Sequence, residues 1–381
     1  MNRVRLGGVA TALALLLMAG AGGIFWALHD PERGAAMAEA AREVVGPQAV
    51  AFVEQWAFTA QDLAQQARYQ TTGAAPTISW AAPAISAAPA QITAPTSTRP
   101  LAISPALAAE PDAPGQAQAL DWSPLVTLPD GTPVIERALV SPDQQRPYVQ
   151  AALVRMDLSR SQLHLIAGTL EPKSSLVQKR PGMIPVADQQ ASQLLAAFNG
   201  GFRAINGQFG MLSEGATWLP PKDGLATLAI YRDGHVRMGT WGDDINPDPM
   251  IVAYRQNCPL LLTNGEPTPE AARSDKALWG KTITNQTTTW RSGLGLSADG
   301  RYLIYAVGDG LTVPTLTTAL SDAGASMGMQ LDINKFYTRF DTYEVDSNGQ
   351  LLAQKLIDQM QGNATQYLKP NSRDFFYLTV R

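Results

Sequence analysis

Three carboxylates stand in stretches otherwise poor in charge, and they are the side chains best suited to proton transfer or to steadying a developing positive centre. Asp332 closes the run Ser326-Met327-Gly328-Met329-Gln330-Leu331 and is followed by Ile333-Asn334. Taken alone, a carboxylate after an apolar strand is more often a turn cap than a catalyst. Glu214, in Leu212-Ser213-Glu214-Gly215, is the only acid of its stretch. Asp309, in Val307-Gly308-Asp309-Gly310-Leu311-Thr312, most simply steadies the turn leading to a helix cap at Thr312. The complementary feature is Asn199-Gly200-Gly201, at the end of the apolar run Leu194 to Phe198. Glycines there let the backbone approach another group and turn amides toward an anion. Asn-Gly is equally the commonest hairpin turn. Arg291 enters the glycine-rich run Ser292-Gly293-Leu294-Gly295-Leu296, where an isolated arginine is usually solvated or paired.

Other chemistries are excluded or weakly supported. The 29 basic and 33 acidic residues give a net charge of −4, which argues against nucleic-acid binding, since that rests on a basic surface. One cysteine, Cys258, and three histidines rule out an internal disulfide and a zinc site built on several thiolates. No P-loop, Rossmann fingerprint, GxSxG elbow or HExxH occurs. His164 alternates within a strand-like run and reads as structural; His235, beside Asp233-Gly234, reads as exposed. Trp218, Trp241, Trp279 and Trp290 could stack on sugar rings, although core packing is the simpler reading.

The elements that must position these residues begin late in the chain. Residues 1–30 read as a membrane anchor or signal segment: Arg3 and Arg5 precede an uncharged stretch over 6–28, long enough for the ~20 residues that span a bilayer. The basic flank predicts a cytoplasmic N-terminus and an exported remainder, a single pass through the inner membrane with the C-terminal domain in the periplasm or outside the cell. A cleaved signal peptide is the rival, because small residues follow at Ala19-Gly20-Ala21. Residues 31–69 carry two apolar sets at helical spacing, divided at Gly46-Pro47, and predict a helical membrane-proximal segment. Residues 70–120 predict a disordered Pro/Ala-rich linker, with prolines at 76, 83, 89, 95, 100, 105, 111 and 114 and few large apolar side chains to offset ordering entropy.

From 121 to 381 short strand-like runs alternate with turn signals: Pro133 to Ile135, Tyr148 to Met156, Gln162 to Ala167, Leu225 to Tyr231, Gly234 to Met238, Tyr302 to Val307 and Phe375 to Val380. Asp233-Gly234 and Asp299-Gly300 mark hairpins. The clearest helix is predicted over Pro314 to Ala323, with Thr312 or Val313 before it and Gly324 at its end. Ser192 to Ala197 suits a helix or the strand that follows. Residues 242–285 read as a long insertion framing a pocket. The fold class is α+β, a mixed and mostly antiparallel sheet with a few packed helices, in one large domain. The charged fraction of 16% is low because the apolar stretch and the linker contribute almost nothing to it.

In order along the chain, Phe198-Asn199-Gly200-Gly201-Phe202, Arg291 to Leu296, Ala298 to Ile304, Gly308 to Leu316 and Gly324 to Asp332 resemble the phosphodiester glycosidase family, which includes the enzyme uncovering mannose 6-phosphate and many bacterial exported domains. The resemblance covers about 125–381. It departs after Asp332, where Ile333-Asn334-Lys335-Phe336 stands in place of a glycine-rich turn, so it implies the fold more firmly than the substrate.

The resemblance implies hydrolysis of a glycosyl-phosphodiester or related cell-envelope glycan. Asp332 or Glu214 would be nucleophile or base, with Asp309 as a supporting catalytic acid. Asn199, Gly200, Gly201 and Arg291 would hold the anion, with Thr312 and Asn334 also at the substrate. A phosphodiester is already a good leaving group, so strong acid assistance is less needed than for an ordinary glycoside. No cofactor follows with certainty; calcium or magnesium would suit the oxygens of Asp309, Asp332 and Asn334. The alternatives are a non-catalytic envelope glycan-binding module, in which the altered turn after Asp332 has abolished turnover, or an envelope assembly factor that engages a protein.

Overall fold

The computed structural model describes residues 47–73, 78–81, 85–86, 120–176, 178–190, 193–272, 278–279 and 288–381. The apolar stretch 6–28, the first apolar set of 31–69 and linker residues 87–119 lie outside the described residues. No helix among the described residues is long and apolar enough to cross a membrane.

The described strands are β1 (Ile85–Ser86), β2 (Ser123–Thr127), β3 (Pro133–Val140), β4 (Ala151–Asp157), β5 (Ser161–Ile166), β6 (Leu194–Asn199), β7 (Met211–Ser213), β8 (Ala216–Leu219), β9 (Ala226–Tyr231), β10 (Val236–Thr240), β11 (Ile251–Gln256), β12 (Leu260–Thr263), β13 (Glu266–Pro267), β14 (Thr289–Leu296), β15 (Tyr302–Leu311), β16 (Met327–Gln330), β17 (Phe340–Val345), β18 (Leu351–Lys355) and β19 (Phe375–Val380). They form sheets of eight, six and five strands, in the orders β13-β12-β16-β14-β15-β4-β3-β2, β1-β18-β17-β6-β19-β5 and β10-β9-β11-β7-β8. Their ladders are antiparallel. With few helices beside them, the class is α+β.

Side chains of the central strands alternate between two cores, as a period of two requires. In β15, Leu303, Tyr305 and Val307 face the core shared with the other sheets. Ile304 and Ala306 face the helix Val313–Asp322 on the outer side. That helix starts where the sequence placed its cap: Thr312 accepts from the Thr315 amide at 3.2 Å, and Thr315 Oγ1 accepts from the Thr312 amide at 2.8 Å. It approaches the sheet closely because β14 carries glycines beneath it. A Cβ on Gly293 would meet Leu316 and Leu320 at 3.2 Å, and one on Gly295 would meet Ala325 at 2.5 Å.

Three expectations change. The Ser192 to Ala197 ambiguity resolves as strand β6, fully buried because it lies between β17 and β19 in the six-stranded sheet. Residues 242–285 are not all insertion: β11 lies at the centre of the five-stranded sheet and β12 belongs to the eight-stranded one. The turn-rich flanks hid these two apolar strands.

The linker expected over 70–120 is docked at its start. The Ala81 amide donates to Leu356 O at 3.2 Å, the Asp358 amide donates to Ser79 O at 3.0 Å, and Ile85 pairs with Ala353. Ile78 and Trp80 supply apolar area that the regular prolines obscured, and the open edge of β18 supplies the backbone partners. The preceding helix, Pro47–Thr72, begins at the proline read as a divider. It is fastened to the domain through Asp62, which accepts from Arg146 Nη1 at 3.2 Å and Tyr148 OH at 3.1 Å.

Candidate active site

Three chain segments meet at one end of the sheets. β6 ends at Asn199, opposite Phe375 at the start of β19, and Asp332 follows the end of β16. A cleft of about 380 Å³ opens there, with Asp332, Lys369, Arg373 and Asp374 as its charged lining residues. Its aromatic walls are Phe336, Tyr337 and Tyr367, and Asn363, Gln366 and Asn371 add amides.

Asp332 is held from both sides. One carboxylate oxygen accepts from the amides of Ile333 at 2.7 Å and Asn334 at 3.1 Å, and the other accepts from Arg373 Nη2 at 2.6 Å. Burial pushes the Asp332 carboxyl above its usual range, against the opposing pull of Arg373 and the two amides. Arg373 is only 8% exposed. Its Nη2 also donates to the Gly201 carbonyl at 3.1 Å, and its guanidinium lies 4.3 Å from the centre of the Tyr337 ring. The Nε of Arg373 is buried and has no hydrogen-bond partner among the described residues. A buried donor left in this state costs stability, and a ligand that accepts from it regains that cost.

Asp374 behaves differently. Its carboxylate accepts from Arg255 Nε at 2.8 Å, Arg255 Nη2 at 3.3 Å and the Gly201 amide at 3.2 Å, while its carbonyl accepts from the Gly200 amide at 3.1 Å. The two glycines are needed for this approach: a Cβ on Gly200 would lie 2.0 Å from Asp374 Oδ2, and one on Gly201 would lie 3.1 Å from Arg255. The amides expected to cradle an anion therefore serve Asp374. Asn199 is likewise engaged. Its Oδ1 accepts from Tyr305 OH at 2.7 Å and the Arg339 amide at 2.9 Å; its Nδ2 donates to Ser292 Oγ at 3.0 Å and Gly200 O at 2.9 Å. That fills the two donor and two acceptor positions of the side chain, and it joins the six-stranded sheet to the eight-stranded one.

The structure thus brings Asp332, Asn199, Gly200 and Gly201 to one cleft. Arg291, Thr312, Asp309, Glu214 and Asn334 are not among its lining residues. Arg291 is fully buried in β14, donating to Leu311 O at 3.1 Å and Gln330 Oε1 at 2.7 Å, and burial lowers its pKa to about 10. Thr312 caps its helix. Glu214 occupies the turn between β7 and β8 with φ of 51°, its carboxylate 3.4 Å from the Ala167 amide, and burial raises its pKa. Asn334 Oδ1 accepts from the Phe336 amide at 2.9 Å, so it shapes the turn after Asp332.

The oxygen set considered for calcium or magnesium does not fit. The Arg373 cation sits on Asp332, and Asn334 is occupied by its own turn. No group of three or more His, Cys, Asp or Glu side chains suited to a metal occurs among the described residues.

Arg373, Asp374 and Arg255 are the residues that sequence reasoning missed. Ser372-Arg373-Asp374 directly precedes the strand read at Phe375 to Val380, so an adjacent cation and acid at a strand edge was the available signal. Arg255 was masked by the reading of its strand as insertion.

Neither a family model nor a curated protein sequence matches the chain. Among solved structures, it is similar to the catalytic domain of zebrafish N-acetylglucosamine-1-phosphodiester alpha-N-acetylglucosaminidase, auto-inhibited by its pro-peptide, at 17% identity and a TM-score of 0.41, over 69% of this chain and 88% of that one. It is also similar to a hypothetical protein from Synechocystis, at 11% identity and a TM-score of 0.36, over 70% of this chain and 64% of that one. Likenesses at this distance concern the fold alone.

Proposed function

We propose that the cleft binds and hydrolyses a glycosyl-phosphodiester or related anionic glycan of the cell envelope, in an exported domain held at the membrane. The observation that carries this reading is the Asp332–Arg373 pair on the wall of an aromatic- and amide-lined cleft. Both carboxylates are paired with an arginine, but the Arg255–Asp374 pair is sealed from solvent while the Arg373–Asp332 pair keeps some exposure at the cleft wall, so Asp332 is the carboxylate placed to face a reacting sugar. A single carboxylate is sparse equipment for an ordinary glycoside, which needs an acid for its leaving group. It suits a phosphodiester, because the departing phosphate carries its own negative charge and needs no proton. The donor-bearing edge of Arg373 suits an anionic oxygen, and Phe336, Tyr337 and Tyr367 suit the faces of a sugar. In this scheme the bond between the anomeric carbon and the phosphate oxygen breaks with its electrons leaving on the phosphate. Asp332 either attacks the developing cation or takes a proton from the water that does.

A second reading is favoured by one feature. Both oxygens of Asp332 are already engaged by donors, an arrangement equally suited to a module that binds an anionic glycan without turning it over. The test is the full-length chain incubated with glycosyl-phosphodiesters and envelope fragments, alongside Asp332→Asn. Release of free sugar or phosphomonoester by the wild type, and its loss in the variant, supports hydrolysis. Saturable binding of a fragment without product supports the binding module.

A further inference from the structure

Two loops adjoin the lining of the cleft, and both carry exposed apolar side chains. The first loop, described over 168–176 and 178–182, pairs with the lining segment at 371–372: the Thr169 amide donates to Asn371 O at 2.8 Å and the Glu171 amide donates to Ser372 O at 2.9 Å. The stretch 200–208 follows the lining glycines. Glu171 fastens the two, accepting from Arg203 Nε and the Ala204 amide, each at 3.0 Å. Of the seven large apolar side chains exposed among the described residues, three stand on these loops: Leu170 at 64%, Leu176 at 45% and Ile205 at 59%.

Within the loops and the lining segments the exposed charges are one-sided, with exposed Glu214 just outside them at the Ala167 amide. Across 168–182, 200–208, 332–338 and 361–374, the exposed charged side chains are all lysines: Lys173, Lys179, Lys335 and Lys369. The acids of these stretches, Glu171, Asp332 and Asp374, are buried and paired with Arg203, Arg373 and Arg255. These segments are cationic on a chain whose net charge is −4, and Lys369 stands in the cleft lining itself.

We propose that these segments beside the cleft rest on an acidic-phospholipid bilayer, with Leu170, Leu176 and Ile205 entering the interface and the four lysines meeting the headgroups. Exposed apolar side chains among cations are what an interfacial contact requires: the apolar groups gain by leaving water, and the cations select an anionic leaflet. The contact does not depend on the glycosidase reading. It would place the cleft where envelope components are tethered.

The test uses the full-length chain in vesicles of phosphatidylcholine, alone or mixed with phosphatidylglycerol. An environment-sensitive fluorophore is placed at Ser175→Cys, with Ser347→Cys, in the turn between β17 and β18, as the control; the native Cys258 is buried. A blue shift is expected at 175 only with phosphatidylglycerol, none is expected at 347, and high salt should reverse it through screening. K173E/K179E is expected to weaken the contact at least about tenfold, as the loss of two cations near an acidic surface implies. L170D/I205D should abolish the shift while leaving the thermal transition in place. A shift of equal size in phosphatidylcholine or at both positions, or an unchanged shift in K173E/K179E, overturns the proposal. So does a shift produced by soluble dextran sulfate and not by vesicles, which would assign the lysines to a free polyanion. Asp332→Asn is expected to leave the shift intact, so this contact and the proposed hydrolysis fail independently.

Discussion

Arg373 Nη2 donates to both Asp332 Oδ2 and the Gly201 carbonyl, at 2.6 and 3.1 Å. One buried cation thus holds together the turn after β16 and the turn after β6. Arg373→Met should therefore destabilise the fold by about 3–5 kcal/mol, because it leaves Asp332 buried without its counter-charge. Adding Asp332→Asn to that variant should recover a measurable part of the loss, since the uncompensated charge is gone. Urea unfolding of the single and double variants measures this, and strict additivity of the two losses would sink the idea.

Gly200 carries a steric prediction. Its Cβ would fall 2.0 Å from Asp374 Oδ2, within a region where Arg255 and Asp374 are both almost fully buried. Gly200→Ala must displace the Asp374 carboxylate and loosen its pair with Arg255, at a cost of about 1–3 kcal/mol or more. The denaturation midpoint reports it. An unchanged midpoint would mean that the turn relaxes around the methyl group.

Asn199 gives a third prediction. Asn199→Asp keeps the shape but replaces a donor with an acceptor, so Ser292 Oγ and Gly200 O lose their partner. The change should cost about 2–4 kcal/mol, being the loss of two buried hydrogen bonds with acceptors left facing each other. Because the side chain's polar positions are filled from within the fold, thermal unfolding should move before any affinity for a glycan does. A normal melting point together with lost affinity would instead make Asn199 a ligand contact.

Much of the fold was legible because alternation and turn chemistry act locally. Phe375 to Val380 was read as a strand with the bounds that the structure has, and Thr312 and Pro314 marked the helix start within a residue. The places of Asp332 and of the Asn199-Gly200-Gly201 turn at strand ends are legible because each ends an apolar run, whereas their convergence on one cleft is not. What a side chain faces was not legible. Arg291 looks like a site cation in sequence, yet its strand is buried on both faces, and the guanidinium is directed to Leu311 and Gln330. Arg373 looks like an ordinary residue before a strand, but the β6–β19 pairing brings it to the cleft from about 170 residues away. Such long-range pairing leaves no periodicity to read.

Stability should depend on pH through one buried carboxyl, that of Asp341. Asp341 is fully buried against Arg339, which donates through Nε at 2.5 Å and Nη2 at 3.0 Å. Burial outweighs that pair and raises the Asp341 pKa from 3.8 to about 6. Between these two values the folded protein holds a proton that the unfolded chain has lost. The resulting stabilisation is fully present below pH ~4 and is lost as the pH rises through about 6, a change of roughly 3 kcal/mol for a shift of this size. Asp341→Asn is neutral at every pH, as the buried wild-type carboxyl is below about 6, so it should lack this pH-dependent component. Unfolding free energies of wild type and variant across pH 4 to 7 provide the measurement. The stability of the wild type relative to the variant should fall by roughly 3 kcal/mol as the pH rises from about 4 to 6 and level off above, because other groups cancel in the comparison. Curves that stay parallel would place the Asp341 carboxyl in the ordinary range, and the ion pair with Arg339 would then outweigh its burial.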